Sequence, residues 1–109
     1  MECRDVFRCL FNIGENEIEI YKMLLNGGKK VDEIGELVKR DRSTIQRCLK
    51  KLIDCGMVRR EKRVIKNGGG YYYVYISISP SDLKEFLNEC VDEWQEEMKR
   101  AIENLEESI

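Results

Sequence analysis

The sequence changes from a helical to an extended pattern near Gly56, and this change limits the fold more than any other feature. Before Gly56, apolar residues recur at every third or fourth position, which is typical of amphipathic helices. After it, residues 57–66 mix β-branched with basic side chains, and residues 71–79 are rich in Tyr, Val and Ile, which favour strands. Residues 67–70, with three consecutive glycines, predict a hairpin turn between two strands.

Helices are predicted on both sides of this hairpin. The helices before it are expected near residues 2–12, 17–26, 32–38 and 41–55. After the hairpin, Ser81 is placed to cap a long final helix that runs almost to the end of the chain. The predicted fold class is therefore α+β, mainly α with a small β-hairpin.

Three consecutive helices followed by a two-stranded hairpin form the winged helix-turn-helix arrangement. In this arrangement the last helix of the three enters the major groove of DNA, which is wide enough to accept it. We therefore predict a DNA-binding domain over residues 1–80, with a recognition helix at 41–55 and a wing at 57–79. Residues 81–109 are predicted to form a separate dimerisation helix.

The distribution of charge supports a nucleic-acid partner, although the whole chain has a net charge of −2. Residues 39–66 contain 11 basic and 3 acidic side chains, whereas residues 81–109 contain 3 basic and 10 acidic ones. A basic middle between acidic ends is typical of one phosphate-binding face and a separate, solvated or partner-binding element.

The outer face of the predicted recognition helix carries the candidate DNA contacts. Gln46 and Arg47 are the residues expected at base edges, because Gln can pair with adenine and Arg with guanine through two hydrogen bonds. The residues expected at phosphates are Arg42, Ser43, Thr44 and Lys50 on the helix, and Arg63 and Lys66 near the tip of the wing. Lys51 is also expected on the DNA-binding face of the helix. The alternative is an ordinary solvated helix face, and the basic wing favours the DNA-binding interpretation.

The tyrosines of the second strand allow two interpretations. Tyr71, Tyr72, Tyr73 and Tyr75 could stack on single-stranded bases, or divide between the core and the surface of the sheet. Packing is favoured, since adjacent strand residues point to opposite faces.

An apolar stripe follows the last helix and is longer than the rest of the domain can cover. The simplest partner for its far end is the same helix of a second copy. The residues expected in this dimer interface are Leu87, Cys90, Trp94, Met98, Ala101 and Leu105, together with Phe7 of the first helix.

The remaining composition argues against other classes of protein. The chain has no histidine and no nucleotide-binding or hydrolase motif, so we expect no enzyme, metal or cofactor. Five widely spaced cysteines predict reduced, mostly buried thiols, with a redox bridge between two copies through Cys90 as an alternative. No apolar run is long enough to span a membrane and the N-terminus is charged, so a cytoplasmic location is expected.

The sequence resembles the archaeal TrmB-like regulators and, more broadly, MarR-type winged helices. The resemblance covers about residues 10–80 and is most specific at Arg42, Ser43 and Thr44, which open the recognition helix. It implies a cytoplasmic dimeric regulator that binds operator DNA with the helix from Arg42 to Lys51 and with the wing. TrmB-like regulators also carry a large C-terminal sugar-binding domain, whereas one helix follows Pro80 here, so we expect a stand-alone DNA-binding dimer with an unknown effector. The alternative function is a winged helix that binds proteins of the transcription machinery.

Overall fold

The computed structural model describes residues 8–109. Residues 8–11 are helical, and three helices follow: α1 (Glu15–Leu24), α2 (Val31–Val38) and α3 (Arg42–Asp54). Strands β1 (Val58–Val64) and β2 (Tyr71–Ser77) are antiparallel and joined through a 3-10 turn at Lys66–Gly68, and α4 (Pro80–Ser108) ends the fold. The predicted class, mainly α with one β-hairpin, is confirmed. Phe7 lies outside the described residues.

The start of α4 differs from the sequence-based prediction by two residues. Ser79, and not Ser81, caps the helix, because its hydroxyl accepts the backbone N–H of Asp82 at 3.2 Å. Pro80 then occupies the first helical turn, where the N–H that proline lacks is not needed. The serine before the proline is therefore the cap.

Helices α1, α2 and α3 pack around one apolar core. Its fully buried side chains include Ile20, Leu24, Ile34, Ile45, Leu49 and Leu52. The base of the hairpin adds Val58 and Tyr75 to this core. The link between α1 and α2 also pairs with β2, since the Lys29 N–H donates to the Tyr75 carbonyl at 3.1 Å and the Tyr75 N–H to the Lys29 carbonyl at 2.8 Å. The hairpin is thus fixed to the helices at its base and free at its tip.

The cysteines correct the expectation of reduced thiols. Cys9 and Cys55 form a disulfide with their Cα atoms 5.4 Å apart, and Cys90 is disulfide-bonded as well. The fold places residue 9 against the C-terminal end of α3, a proximity that spacing along the sequence cannot reveal. Cys48 is a free thiol, and burial raises its pKa. Because Cys90 is bonded and fully buried, it offers no free thiol for a bridge between two copies.

Within residues 8–109, helix α4 packs on the other elements near its beginning. Leu83, Phe86 and Leu87 are half-buried and Cys90 is buried, whereas every side chain from residue 91 onward is exposed. The molecule is consequently elongated, with extents of 66 × 30 × 24 Å. The distal part of α4 projects away from the helices and the hairpin.

Candidate nucleic-acid interface

Helix α3 separates an apolar inner face from a polar outer face. Ile45, Cys48, Leu49 and Leu52 are buried against the other helices. The predicted DNA-contacting residues Arg42, Ser43, Gln46, Arg47 and Lys50 are all exposed, and Thr44 is half-buried. The inner side chains recur every three or four residues, so the same spacing leaves these polar side chains on the surface.

The N-terminus of α3 is already occupied by carboxylate contacts. Asp41 is at the N-cap position, and the Ser43 hydroxyl donates to its carboxylate at 2.8 Å. Hydrogen bonds from the Thr44 and Ser43 side chains hold the pKa of Asp41 below its ordinary value. Arg42 forms an ion pair with Asp32 at the start of α2. These contacts are solvent-exposed, so phosphate oxygens could replace them at little cost.

Arg47 and Lys50 point outward and make only weak contacts within their own helix. The Arg47 guanidinium donates to the Thr44 hydroxyl at 3.4 Å, and the Lys50 ammonium lies 3.1 Å from the Asp54 carboxylate. The Lys50 side chain is 79% exposed, and such exposed pairs contribute little to stability. Both cations are therefore available to a ligand in front of the helix.

Lys51 has a different environment from its neighbour Lys50. Its ammonium lies 2.9 Å from the Glu17 carboxylate of α1, whose side chain is only 10% exposed. Burial alone would raise the pKa of Glu17. The pKa is nevertheless lowered overall, because Lys51 contributes a hydrogen bond and a positive charge and backbone N–H groups, including that of Gly14, contribute further hydrogen bonds. The structure thus places Lys51 in an ion pair that joins α3 to α1, rather than on the outer face with the other predicted DNA contacts.

The strand register divides the basic residues of the wing between two faces. Arg60 pairs with Tyr75, Lys62 with Tyr73, and Val64 with Tyr71, so these side chains share one face of the hairpin. We call Arg60, Lys62, Tyr71 and Tyr73 the aromatic–basic face. Within residues 58–64 and 71–77, the side chains on this face include no carboxylate.

The opposite face of the wing is partly neutralised. Arg59 and Arg63 both contact the Glu61 carboxylate, with nitrogen–oxygen distances of 3.3 and 2.7 Å. The predicted phosphate ligand Arg63 therefore lies on this second face and has an acidic partner. Lys66, the other predicted ligand, lies in the exposed turn at the tip.

An open cleft lies between the start of α3 and the aromatic–basic face. It has a volume of about 430 Å³ and is lined by Lys30, Val31, Asp32, Arg42, Gln46, Arg60, Tyr71, Tyr72, Tyr73 and Tyr75. Gln46 and Arg60 also line a second cleft of about 400 Å³ farther along α3. The structure therefore brings Gln46 of the recognition helix beside Arg60 of the wing.

Arg60 and Lys62 are candidate site residues that the sequence-based prediction did not include. Alternation along a strand indicates that residues 58, 60 and 62 share a face, and buried Val58 indicates which face approaches the helices. The alternation can be recognised in the sequence, but the burial of Val58 and the register with β2 are needed to decide which side chains face the helices. The predicted packing of Tyr75 is observed, while Tyr71 at the tip is 56% exposed.

Three helices, the third of which has a basic outer face, and a two-stranded wing define the winged-helix class of DNA-binding domain. The chain belongs to the TrmB family: the sequence profile described as "Sugar-specific transcriptional regulator TrmB" matches residues 8–81. Over 99 residues it is 39% identical to the uncharacterised protein MJ1503 of Methanocaldococcus jannaschii, covering 90% of this chain and 74% of that protein. The predicted resemblance to TrmB-like regulators is confirmed.

Solved structures of other proteins share this fold. A possible transcriptional regulator from Methanosarcina mazei superposes with a TM-score of 0.67 and 26% identity, over 93% of this chain and 86% of that one. A MarR-like transcriptional regulator from Thermotoga maritima has the same fold, with a TM-score of 0.55 and 21% identity, over 86% and 64% of the two chains. DNA-binding regulation of transcription, rather than enzymatic catalysis, is therefore the class of function of this chain. Within residues 8–109, no helix is long and apolar enough to cross a membrane.

Proposed function

We propose that the chain binds operator DNA as a homodimer, with α3 in the major groove and the aromatic–basic face of the wing along the sugar–phosphate backbone. The observation that carries this proposal is the shared cleft in which Gln46 of α3 lies beside Arg60 of the wing. One duplex could contact both elements at once, because the polar face of the helix and the basic side chains of the wing border the same opening.

Within this arrangement the exposed residues of α3 have distinct roles. Gln46, on the side of α3 that borders the wing, and Arg47, on its outer side, reach base edges. Phosphate oxygens replace the exposed carboxylate or hydroxyl partners of the residues that contact the backbone, which are Arg42, Ser43, Thr44 and Lys50. Lys51 contributes indirectly, since its ion pair with Glu17 fixes α3 against α1.

The second copy binds through the distal part of α4. Met98, Ile102 and Leu105 are 42%, 61% and 63% exposed and recur at helical spacing on this segment. An exposed apolar stripe on a projecting helix is typical of a helix–helix interface, and two copies of one helix provide self-complementary stripes. Trp94 and Ala101 extend the stripe, whereas Cys90, one turn before Trp94, is buried within one protomer.

The first test is fluorescence anisotropy with a random-sequence duplex, followed by selection of bound sequences from a random pool. We expect the affinity to fall by orders of magnitude between about 50 and 200 mM salt, because bound basic side chains release counterions from DNA. The selected sites should contain two half-sites about 34–36 Å apart, or a multiple of that distance. A wild-type chain that shows no salt-dependent duplex binding would overturn the proposal and favour a winged helix that binds proteins.

The role of Arg47 is tested with the selected site. Arg47→Ala should weaken binding about 10- to 100-fold and relax the preference at one base pair, because a bidentate contact to guanine is lost. Arg100→Ala removes an exposed cation from α4, on the side of that helix away from its apolar stripe, and is the matched control. Equal affinity of the Arg47→Ala variant and the wild type would show that Arg47 does not contact the bases.

A further inference from the structure

Two tyrosines of the aromatic–basic face hold cations over their rings. The Arg60 guanidinium carbon lies 4.1 Å from the centre of the Tyr73 ring, and the Lys62 ammonium lies 4.1 Å from the centre of the Tyr71 ring. Each cation leans over the tyrosine diagonally across the strands, toward the tip of the hairpin, rather than over its direct partner. The two rings contact each other edge to face, with centres 5.6 Å apart.

We propose that Tyr71 and Tyr73 are positioning residues for DNA binding, which hold Lys62 and Arg60 in extended conformations for contact with backbone phosphates. This inference rests on the proposed function. The tyrosines act through the cations that they orient, and they need not touch DNA themselves.

The contrast between the two faces of the wing supports this role. On the opposite face, Glu61 fixes Arg59 and Arg63 with ion pairs, and its negative charge cancels part of theirs. The cation over the Tyr72 ring on that face is Lys30, which lies outside the two strands. On the aromatic–basic face, the rings restrict the cations through a cation–π interaction that leaves the full positive charge in place. A phosphate therefore meets an ordered cation without displacing a carboxylate.

The position of Tyr71 is difficult to explain by packing alone. Its ring is 56% exposed, near the tip of the hairpin and away from the core that contains Tyr75. Long basic side chains lose considerable conformational freedom when they are fixed on a ligand. A ring that already orders Lys62 in the free protein removes part of that cost before DNA arrives.

The test is a double-mutant cycle at Tyr71 and Lys62, with binding to a random duplex measured at several salt concentrations. Tyr71→Leu should weaken binding about 2- to 5-fold, because the cation–π interaction is lost while the apolar bulk remains. Tyr71→Phe, which keeps the ring, should bind within twofold of the wild type. Lys62→Gln should reduce the slope of log affinity against log salt by about one.

The cycle distinguishes positioning from a merely structural role. In the Lys62→Gln background, Tyr71→Leu should have no further effect, because the ring has no cation left to orient. Arg59→Gln, a charge-matched substitution on the opposite face, should change the salt slope less than Lys62→Gln does. Because Tyr71 is exposed, circular dichroism should report the same fold for all variants.

Two results would overturn the inference while leaving the proposed function intact. In the first, the wild type binds duplex DNA in a salt-dependent manner, but the Tyr71→Leu variant binds as tightly as the Tyr71→Phe variant. In the second, Tyr71→Leu lowers the affinity for DNA by the same factor in the Lys62→Gln background as in the wild type, since the ring would then act on its own. Failure of the wild type to bind duplex DNA is separate, and would overturn the proposed function itself.

Discussion

Two adjacent lysines of α3 show how position in the fold gives the same residue type two roles. Lys50 points to solvent and pairs with Asp54 one turn along the same helix, whereas Lys51 reaches the nearly buried Glu17 on another helix. The Glu17 carboxylate keeps its charge inside the domain because Lys51 and nearby backbone N–H groups compensate for burial. Lys51 therefore stabilises the arrangement of α1 and α3, and Lys50 remains available for DNA.

This difference predicts unequal effects on stability. Lys51→Met should lower the free energy of unfolding by about 1–3 kcal/mol at neutral pH, because the Glu17 carboxylate is left without its cation. Lys50→Met, the matched control, should change it by less than about 0.5 kcal/mol, since exposed ion pairs contribute little. Urea unfolding followed by circular dichroism measures both values, and equal effects of the two substitutions would contradict the assignment.

The same pair predicts the sign of a pH dependence. The folded-state pKa of Glu17 lies below the ordinary value of 4.5, so its contribution to stability is present above that pH. The contribution is lost as the pH falls through the folded-state pKa, because protonation removes the charge that Lys51 stabilises. The stability difference between the wild type and Lys51→Met should therefore shrink as the pH falls below 4.5. A difference that grows on acidification would be inconsistent with this pair.

At the scale of elements, the sequence predicts where helices and strands lie better than it predicts how they meet. The spacing of Ile45, Leu49 and Leu52 correctly predicts the buried face of α3. It cannot reveal that Lys51 meets Glu17, because that contact depends on how α1 crosses α3. The wing shows the same limit, since only the register with β2 reveals that Arg63 shares a face with Glu61 and not with Arg60 and Lys62.

The Cys9–Cys55 disulfide is a contact between elements that spacing did not indicate, and it makes a clear prediction. The bridge closes a loop with a sequence separation of 46 residues between the N-terminal helical residues and the end of α3. Cross-linking a loop of that length lowers the entropy of the unfolded chain and should stabilise the fold by about 4 kcal/mol. Under oxidising conditions, Cys9→Ser should therefore unfold at markedly lower urea concentration than the wild type.

Reducing conditions provide the control for this prediction. With the wild-type disulfides reduced, the wild type and Cys9→Ser should unfold at nearly the same urea concentration, because neither then contains the cross-link. Comparison of the two chains isolates this bridge from the bond made by Cys90, which reduction also breaks. A stability difference that is unchanged by the reductant would mean that the Cys9 side chain stabilises the fold by packing, and not through the bridge.

At the scale of the whole molecule, the elongated shape results from α4, which extends beyond the domain on which its first turns pack. The 29 residues of α4 span about 43 Å at helical rise, yet every side chain of this helix from residue 91 onward is exposed. Sequence periodicity predicted this mismatch, since the apolar stripe continues past the part of the helix that the domain covers. The sequence predicts a second copy as the simplest partner, but one chain does not identify it, because other apolar surfaces of matching shape could pack on the same stripe.

A single charge on the stripe distinguishes a second copy from other partners. Leu105→Asp should raise the dissociation constant of the dimer at least about 10-fold, because a carboxylate would be buried in an apolar interface. Asn104→Asp adds the same charge to the neighbouring exposed position and should leave the dimer intact. Sedimentation equilibrium over a range of concentrations measures both constants. Since Leu105 is 63% exposed in one protomer, the monomer should keep its fold and lose affinity mainly for duplexes with two half-sites.

A wild-type chain that is monomeric at micromolar concentration, or a Leu105→Asp variant that dimerises as tightly as the wild type, would assign the stripe to a different partner.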